Sequence, residues 1–211
     1  MDLQFYGANC IVLSSKGVRV VVDDNLASLG GKSVAKAGDI TLFTSPLTRN
    51  QPKAEPKLLI DHAGEYEVSD ISIYGISARG HMDEEGKQTA TMYKLISKEL
   101  NIFIPGHIYP ELSDDQLESI GMVDVMCIPA GGNGYTLDPV GALKVIKKIE
   151  PKLIVPTYYD TKGLNFEVPA QTLDQVLTGL SMEAKETVST LKLKPGELSD
   201  VMQLIVVDSA A

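Results

Sequence analysis

Three histidines (His62, His81 and His107), two cysteines (Cys10 and Cys127) and a scatter of carboxylates are the groups in this 211-residue chain that could ligate a metal, move a proton or form a covalent intermediate. Their spacing removes most of the common arrangements. No His-x-His pair occurs, so the adjacent Asp61-His62 carries no metal signature and His62 reads as structural. Cys10 sits in Asn9-Cys10-Ile11-Val12-Leu13 and Cys127 in Val125-Met126-Cys127-Ile128. Apolar flanks of that kind bury a thiol and keep it protonated, whereas a reactive thiolate needs an exposed, electropositive setting. A serine nucleophile has no support, because the chain lacks a Gly-x-Ser-x-Gly elbow. Gly131-Gly132-Asn133-Gly134 precedes a helix and can mimic a phosphate cradle, but it lacks the Lys-Ser/Thr ending of a P-loop. A small anion at the Asp138 helix start stays open.

The remaining composition bounds the class. Hydrophobic residues make up 44% and charged residues 22%, which excludes a disordered, collagen-like or integral membrane protein. The net charge is -9, so the cationic footprint that phosphate backbones need is missing and neither nucleic acid nor membrane is expected as a partner. Two apolar-flanked cysteines and an N-terminus without a basic-then-apolar leader point to a reducing cytoplasm.

The elements that must position these groups are mostly short strands rich in Val, Ile, Tyr and Phe and closed by Gly, Pro, Asn or Asp. The first half reads as strands over residues 3–6, 10–13, 18–22, 40–44, 58–60, 71–76, 89–96 and 102–104, with Lys16-Gly17 as a hairpin turn. We expect an antiparallel meander there, interrupted by irregular loops at 27–38 and 47–56. After Pro105 the texture changes. Ser113-Asp114-Asp115-Gln116 is a capping box that opens a short helix ending at Gly121. Residues 123–128 form a near-continuous apolar strand. Asp138-Pro139 opens a helix whose stripe is Val140, Leu143, Ile146 and Ile149, and residues 152–156 complete a β-α-β unit. A helix over 170–177 and strands over 187–193 and 202–207 finish the chain. Strands followed by α/β alternation, without a linker, predict one α/β (α+β) domain over residues 1–211, with sheets packed face to face and helices outside.

Against that framework specific segments become recognisable. Phe5-Tyr6-Gly7-Ala8-Asn9-Cys10, Val20-Val21-Val22-Asp23 and Gly64-Glu65-Tyr66-Glu67-Val68 come first. Val123-Asp124-Val125, Ile128-Pro129-Ala130-Gly131-Gly132, Tyr135-Thr136-Leu137-Asp138-Pro139 and Ile154-Val155-Pro156-Thr157-Tyr158-Tyr159 follow in the same order as in the family. Together they resemble the metallo-β-lactamase superfamily, in particular its branch similar to ascorbate-6-phosphate lactonase. The resemblance implies a four-layer αββα sandwich.

It also implies where a dinuclear metal site would lie, and the matching positions are degenerate. The family's Thr-His-x-His-x-Asp-His segment corresponds to Thr44-Ser45-Pro46-Leu47-Thr48-Arg49-Asn50, where Ser45, Leu47, Arg49 and Asn50 replace the ligands. A guanidinium at Arg49 would repel a divalent cation. His81 matches a retained ligand position, His107 stands where the bridging aspartate belongs, Tyr158 replaces the closing histidine and Ala8 an early one. Asp23 stays acidic.

The resulting expectation is a pseudoenzyme. Its cleft would be lined by Asp23, Ser45, Arg49, Asn50 and Tyr158 with His81 and His107, and would hold a small anionic metabolite or a protein partner, with no cofactor. The alternative is a divergent metal-dependent hydrolase of lactones, esters or phosphoesters. It would use a single zinc, manganese or iron on His81, His107 and a carboxylate, Asp23 or Asp83. A third reading is a metal-free esterase with His107 as general base and His81 or Tyr158 as the oxyanion donor.

Overall fold

The computed structural model describes residues 1–49 and 54–210. The first sheet contains Asp2–Phe5 (β1), Ile11–Ser15 (β2), Val18–Val22 (β3), Ile40–Leu42 (β4), Leu58–Ile60 (β5) and Leu191–Lys192 (β13), in the order β13-β1-β2-β3-β4-β5. The second contains Gly64–Val68 (β6), Ile71–Ala78 (β7), Ala90–Ser97 (β8), Leu100–Ile104 (β9), Val125–Pro129 (β10), Leu153–Thr157 (β11), Glu186–Val188 (β12) and Gln203–Val207 (β14), in the order β12-β14-β11-β10-β9-β8-β7-β6. Three helices, Asp114–Ile120 (α1), Pro139–Ile149 (α2) and Leu173–Leu180 (α3), all fall in the connections of the second sheet.

The sandwich follows from period-two patterning. Ile11 and Leu13 on β2, and Val20 and Val22 on β3, face the second sheet and join one core with Ile71, Ile73, Leu95, Ile102 and Phe103. Their strand neighbours Val12 and Val21 turn outward into a separate apolar cluster with Cys10, Leu26, Tyr158 and Leu164. That outer cluster is roofed by a 3-10 turn, Leu26–Leu29, and by loops. The core side of α2 buries Pro139, Ala142, Val145 and Ile146.

Several local expectations are met. Lys16 and Gly17 both have positive φ, at 46° and 82°, as the tight two-residue hairpin between β2 and β3 requires. Ser113 and Gln116 form the reciprocal capping box of α1. The strands β10 and β11 pair in parallel across α2.

Others are corrected. The first half is not an uninterrupted antiparallel meander: β3, β4 and β5 pair in parallel. Their connections, residues 23–39 and 43–57, contain the stretches 27–38 and 47–56 that the sequence marks as irregular, and such lengths let the chain cross back where a hairpin cannot. On α2 the stripe is rotated, and Val140 is 61% exposed. The adjacent Pro139 packs toward Gly179 of α3 instead, where an added Cβ would meet it at 2.5 Å. The last helix begins at Leu173, after the N-cap Thr172, whose capping box with Gln175 overrides the expected start at residue 170. The single strand expected over 187–193 divides into β12 and β13, which belong to different sheets.

No helix among the described residues is long and apolar enough to cross a membrane. The Asp138 carboxylate accepts from Gly141 N at 2.7 Å, so this helix start already has an anionic cap. Asp138→Ala is expected to cost about 1 kcal/mol and lower the thermal midpoint by about 2–4 °C, read by circular dichroism.

Candidate functional site

Residues one to three positions past the ends of β3 (Asp23), β4 (Thr44), β5 (Asp61), β9 (His107) and β11 (Tyr158) converge on one edge of the sandwich. This is where the carboxyl ends of parallel strands gather functional groups in α/β sheets. Two contacts lace the sheets together there. The Tyr93 hydroxyl of β8 lies 3.1 Å from both the Phe43 and Ile60 carbonyl oxygens, and Thr91 N donates to Thr44 O at 2.8 Å.

Asp23 lies at the centre of the edge, with none of its surface exposed and its backbone in the left-handed region at φ 48°. Its Oδ1 accepts from Thr44 N at 2.8 Å and Thr48 Oγ1 at 2.7 Å. Oδ2 accepts from Asn9 Nδ2 at 2.7 Å and Thr44 Oγ1 at 2.5 Å. Asn9 in turn accepts from Thr157 Oγ1 on β11 at 2.7 Å, so the carboxylate is tied to the second sheet. Four donors fill the four lone-pair positions of a carboxylate. Gly106, at φ 65°, fits this packing because an added Cβ would stand 2.2 Å from the Thr44 Cβ.

His107 is 1% exposed and neither ring nitrogen has a hydrogen-bond partner among the described residues. Burial lowers its basicity, with Asp23 opposing and His81 adding to the effect. Its ring meets Tyr135 and Tyr158 edge-on, at centroid separations of 5.7 and 5.3 Å. Tyr158 also stacks on Tyr135 and meets Phe166 at 5.2 Å. Its backbone is left-handed, with φ 53°, and is held by a 2.6 Å bond from Tyr158 N to Ala8 O. Burial, then Tyr135 and Glu167, push the Tyr158 hydroxyl well above the usual phenol range, so it stays protonated. Gly131 lets the chain pass beneath: a Cβ there would lie 2.4 Å from Tyr158 O.

The other candidates are placed as follows. His81 is half-buried on the segment adjoining His107, to which it is joined by His81 N donating to His107 O at 2.9 Å. Its Nδ1 lies 3.2 Å from Ile108 O. Asp83 accepts from Gly80 N, Thr89 N and Thr89 Oγ1. Burial raises its carboxyl pKa, but those bonds outweigh it and hold the carboxyl low. Ser45 is buried in a turn, its carbonyl accepting from Thr48 N and Arg49 N. Asn50 lies outside the described residues. Cys10 and Cys127 are buried and unpaired, and burial pushes the Cys127 thiol up to about 12.

The Arg49 side chain is 62% exposed and pairs at 2.9 Å with Asp61, the residue that follows β5. Asp61 also holds His62 Nδ1, and His62 Nε2 lies 2.9 Å from the Tyr66 hydroxyl, so Arg49 heads a surface chain of polar contacts. Sequence reasoning passed over Asn9, Thr48, Thr157 and Tyr135, which do the structural work of this edge. They belong to residue types whose role depends on a partner distant in the chain.

The profile of the beta-lactamase superfamily domain matches residues 2–158, the span that ends on Tyr158. The chain belongs to the beta-lactamase superfamily. Among solved structures, a Thermotoga maritima protein of the metallo-beta-lactamase superfamily superposes with a TM-score of 0.73 at 21% identity, covering 99% of each chain. A Parabacteroides distasonis protein gives 0.62 at 15% identity over 98% of this chain and 92% of that one. At such identities these likenesses speak for the fold. Two relatives named metal-dependent hydrolases match over short stretches. One, from Enterococcus faecalis, is 33% identical over 66 residues, 31% of this chain and 29% of the relative. The other, from Pelotomaculum thermopropionicum, is 33% identical over 75 residues, 36% and 30%. The matches therefore span less than a third of those relatives.

A metal of the kind those names imply is poorly served by this superfamily member. Its Asp23 oxygens are fully engaged, Asp83 is spent on its own loop and Tyr158 keeps its proton. That leaves two imidazoles, whereas catalytic zinc takes three protein ligands. Among the described residues no group of three or more His, Cys, Asp or Glu side chains could hold an ion.

Asp23→Ala strands four donors and is expected to cost about 3 kcal/mol or more, lowering the thermal midpoint by at least about 6 °C. His107 gives a pH signature. Because burial disfavours the imidazolium, the unfolded chain takes up a proton at higher pH than the folded chain, and stability is lost as pH falls. Relative to His107→Phe, wild-type stability from denaturant midpoints should be flat above about pH 7 and fall by up to about 1.4 kcal/mol per pH unit below about 6.5.

Proposed function

We propose that this chain is a binding module built on the metallo-β-lactamase fold, a pseudoenzyme in which the dinuclear centre has been converted into packing. The observation that carries the reading is the saturation of Asp23 by Asn9, Thr44 and Thr48. A carboxylate with every lone pair accepting a hydrogen bond has none to give a cation without stranding buried donors. The tyrosines around His107 support it, since they place ring carbon where an imidazole or carboxylate would have to stand. The ligand on this reading is a small anionic metabolite or a protein partner, in the reducing cytoplasm that suits two buried free thiols. The order of its motifs supports kinship with the lactonase branch of the superfamily.

One observation favours the rival hydrolase. Both nitrogens of His107 are buried without a partner among the described residues, a state that costs about 1–3 kcal/mol per unsatisfied group and that a ligand would relieve. His81, on the adjoining segment, would supply the second imidazole of a mononuclear site. The metal-free esterase is less well supported, because at 1% exposure His107 cannot reach substrate without opening the aromatic cluster.

Elemental analysis of protein expressed with zinc, manganese and iron supplied separates the readings. The binding-module reading expects metal far below one ion per chain and a thermal midpoint unmoved by chelator. One ion per chain, lost in both His81→Ala and His107→Ala while their circular dichroism stays native, would overturn it.

A further inference from the structure

Against the outer apolar cluster of the first sheet, between residues 26–34 and residues 162–164, lies a half-open cavity of about 700 Å³. That is the size of a small-molecule site. Its apolar wall is Tyr6, Leu26, Val34 and Leu164, continuous with the cluster that holds Tyr158. The charged side chains on its lining are Lys32 and Lys162, both exposed, and no carboxylate lines it among the described residues. In a chain of net charge -9, an apolar concavity whose described lining carries two lysines and no carboxylate is a local reversal of sign.

The walls are held in place by the fold. Asp24, 2% exposed, accepts through Oδ2 from Ser33 Oγ at 2.6 Å and from Val34 N and Ala35 N at 2.8 Å, which fixes the Val34 side. Gly31 N donates to Leu26 O at 2.9 Å, closing the turn, and Asn165 N donates to Leu29 O at 2.8 Å, joining one loop to the other. A concavity set by backbone bonds needs little ordering when a ligand enters.

We propose that this cavity binds an amphipathic organic monoanion, a medium-chain carboxylate, with its apolar body against Leu26, Val34, Leu164 and Tyr6 and its head between Lys32 and Lys162. Alkyl chain and carboxylate are both needed: the wall has few polar groups to orient a sugar or nucleotide, and the lysines favour an anion over a cation. The inference gives the binding-module reading its ligand class and rests on that reading only for its biological sense. Metal content tests the reading, and titration tests the ligand.

The probe is decanoate, titrated calorimetrically into the full chain. We expect saturable one-to-one binding in the micromolar range and no saturable binding of decyltrimethylammonium. Hexanoate should bind about tenfold or more weakly, because it buries four fewer methylenes. The double variant Lys32→Gln/Lys162→Gln, changed only at exposed positions, should weaken decanoate about tenfold or more. Val34→Trp fills the cavity and should abolish binding with native circular dichroism. Absence of saturable binding up to about 1 mM overturns the proposal. So does equal binding of the cationic amphiphile, undiminished binding in the lysine double variant, or a self-associated form in sedimentation that decanoate leaves unchanged.

Discussion

The buried carboxylate of Asp23 is the constraint on which the functional edge of this protein depends. It closes β3, receives the backbone and hydroxyl of Thr44 after β4, receives Thr48 from the following turn and reaches β11 through Asn9 and Thr157. No ion pair to it exists among the described residues, so its charge is balanced by hydrogen-bond donors alone. Bonds to a buried charged acceptor are among the stronger net contributors to a fold, and leaving one unmade is costly. A group in that position holds both sheets in register.

The same edge gathers an aromatic group around the imidazole of His107. His107, Tyr135, Tyr158 and Phe166 form an aromatic group in which ring edges meet ring faces, the geometry that aromatic pairs prefer. Tyr158 enters it with its backbone in the left-handed region and its N–H held by the Ala8 carbonyl. The two residues are thus coupled in space: a small one at one strand end offers a carbonyl to the large one at another. The aromatic group also merges with the outer apolar cluster, which carries the packing on toward the cavity between the two loops.

Much of the fold was legible along the chain. Period-two runs, the hairpin at Lys16-Gly17, the capping box at Ser113 and the β-α-β unit around α2 are local signals, each decided within a few residues. What failed was non-local. Parallel pairing of β3, β4 and β5 depends on where long connections return, and the division of residues 187–193 between two sheets depends on the different partners Val207 and Leu3. The rotation of α2 depends on Pro139 finding Gly179. The partner of Arg49 was out of reach for the same reason, since Asp61 is separated from it in the chain and adjacent to it in the fold.

By itself the sequence determined that this chain makes a two-sheet α/β sandwich of the metallo-β-lactamase kind and that residues 44–50 carry no histidine, because pattern and residue type are properties of the chain. Only the tertiary structure decided which contacts the polar groups of this edge make. Asp23 could have been a ligand or a brace, and His107 a base or a buried ring. The choice turns on which donors reach the carboxylate and which rings close over the imidazole. Those are contacts between strand ends far apart in sequence, and their geometry exists only once both sheets have packed.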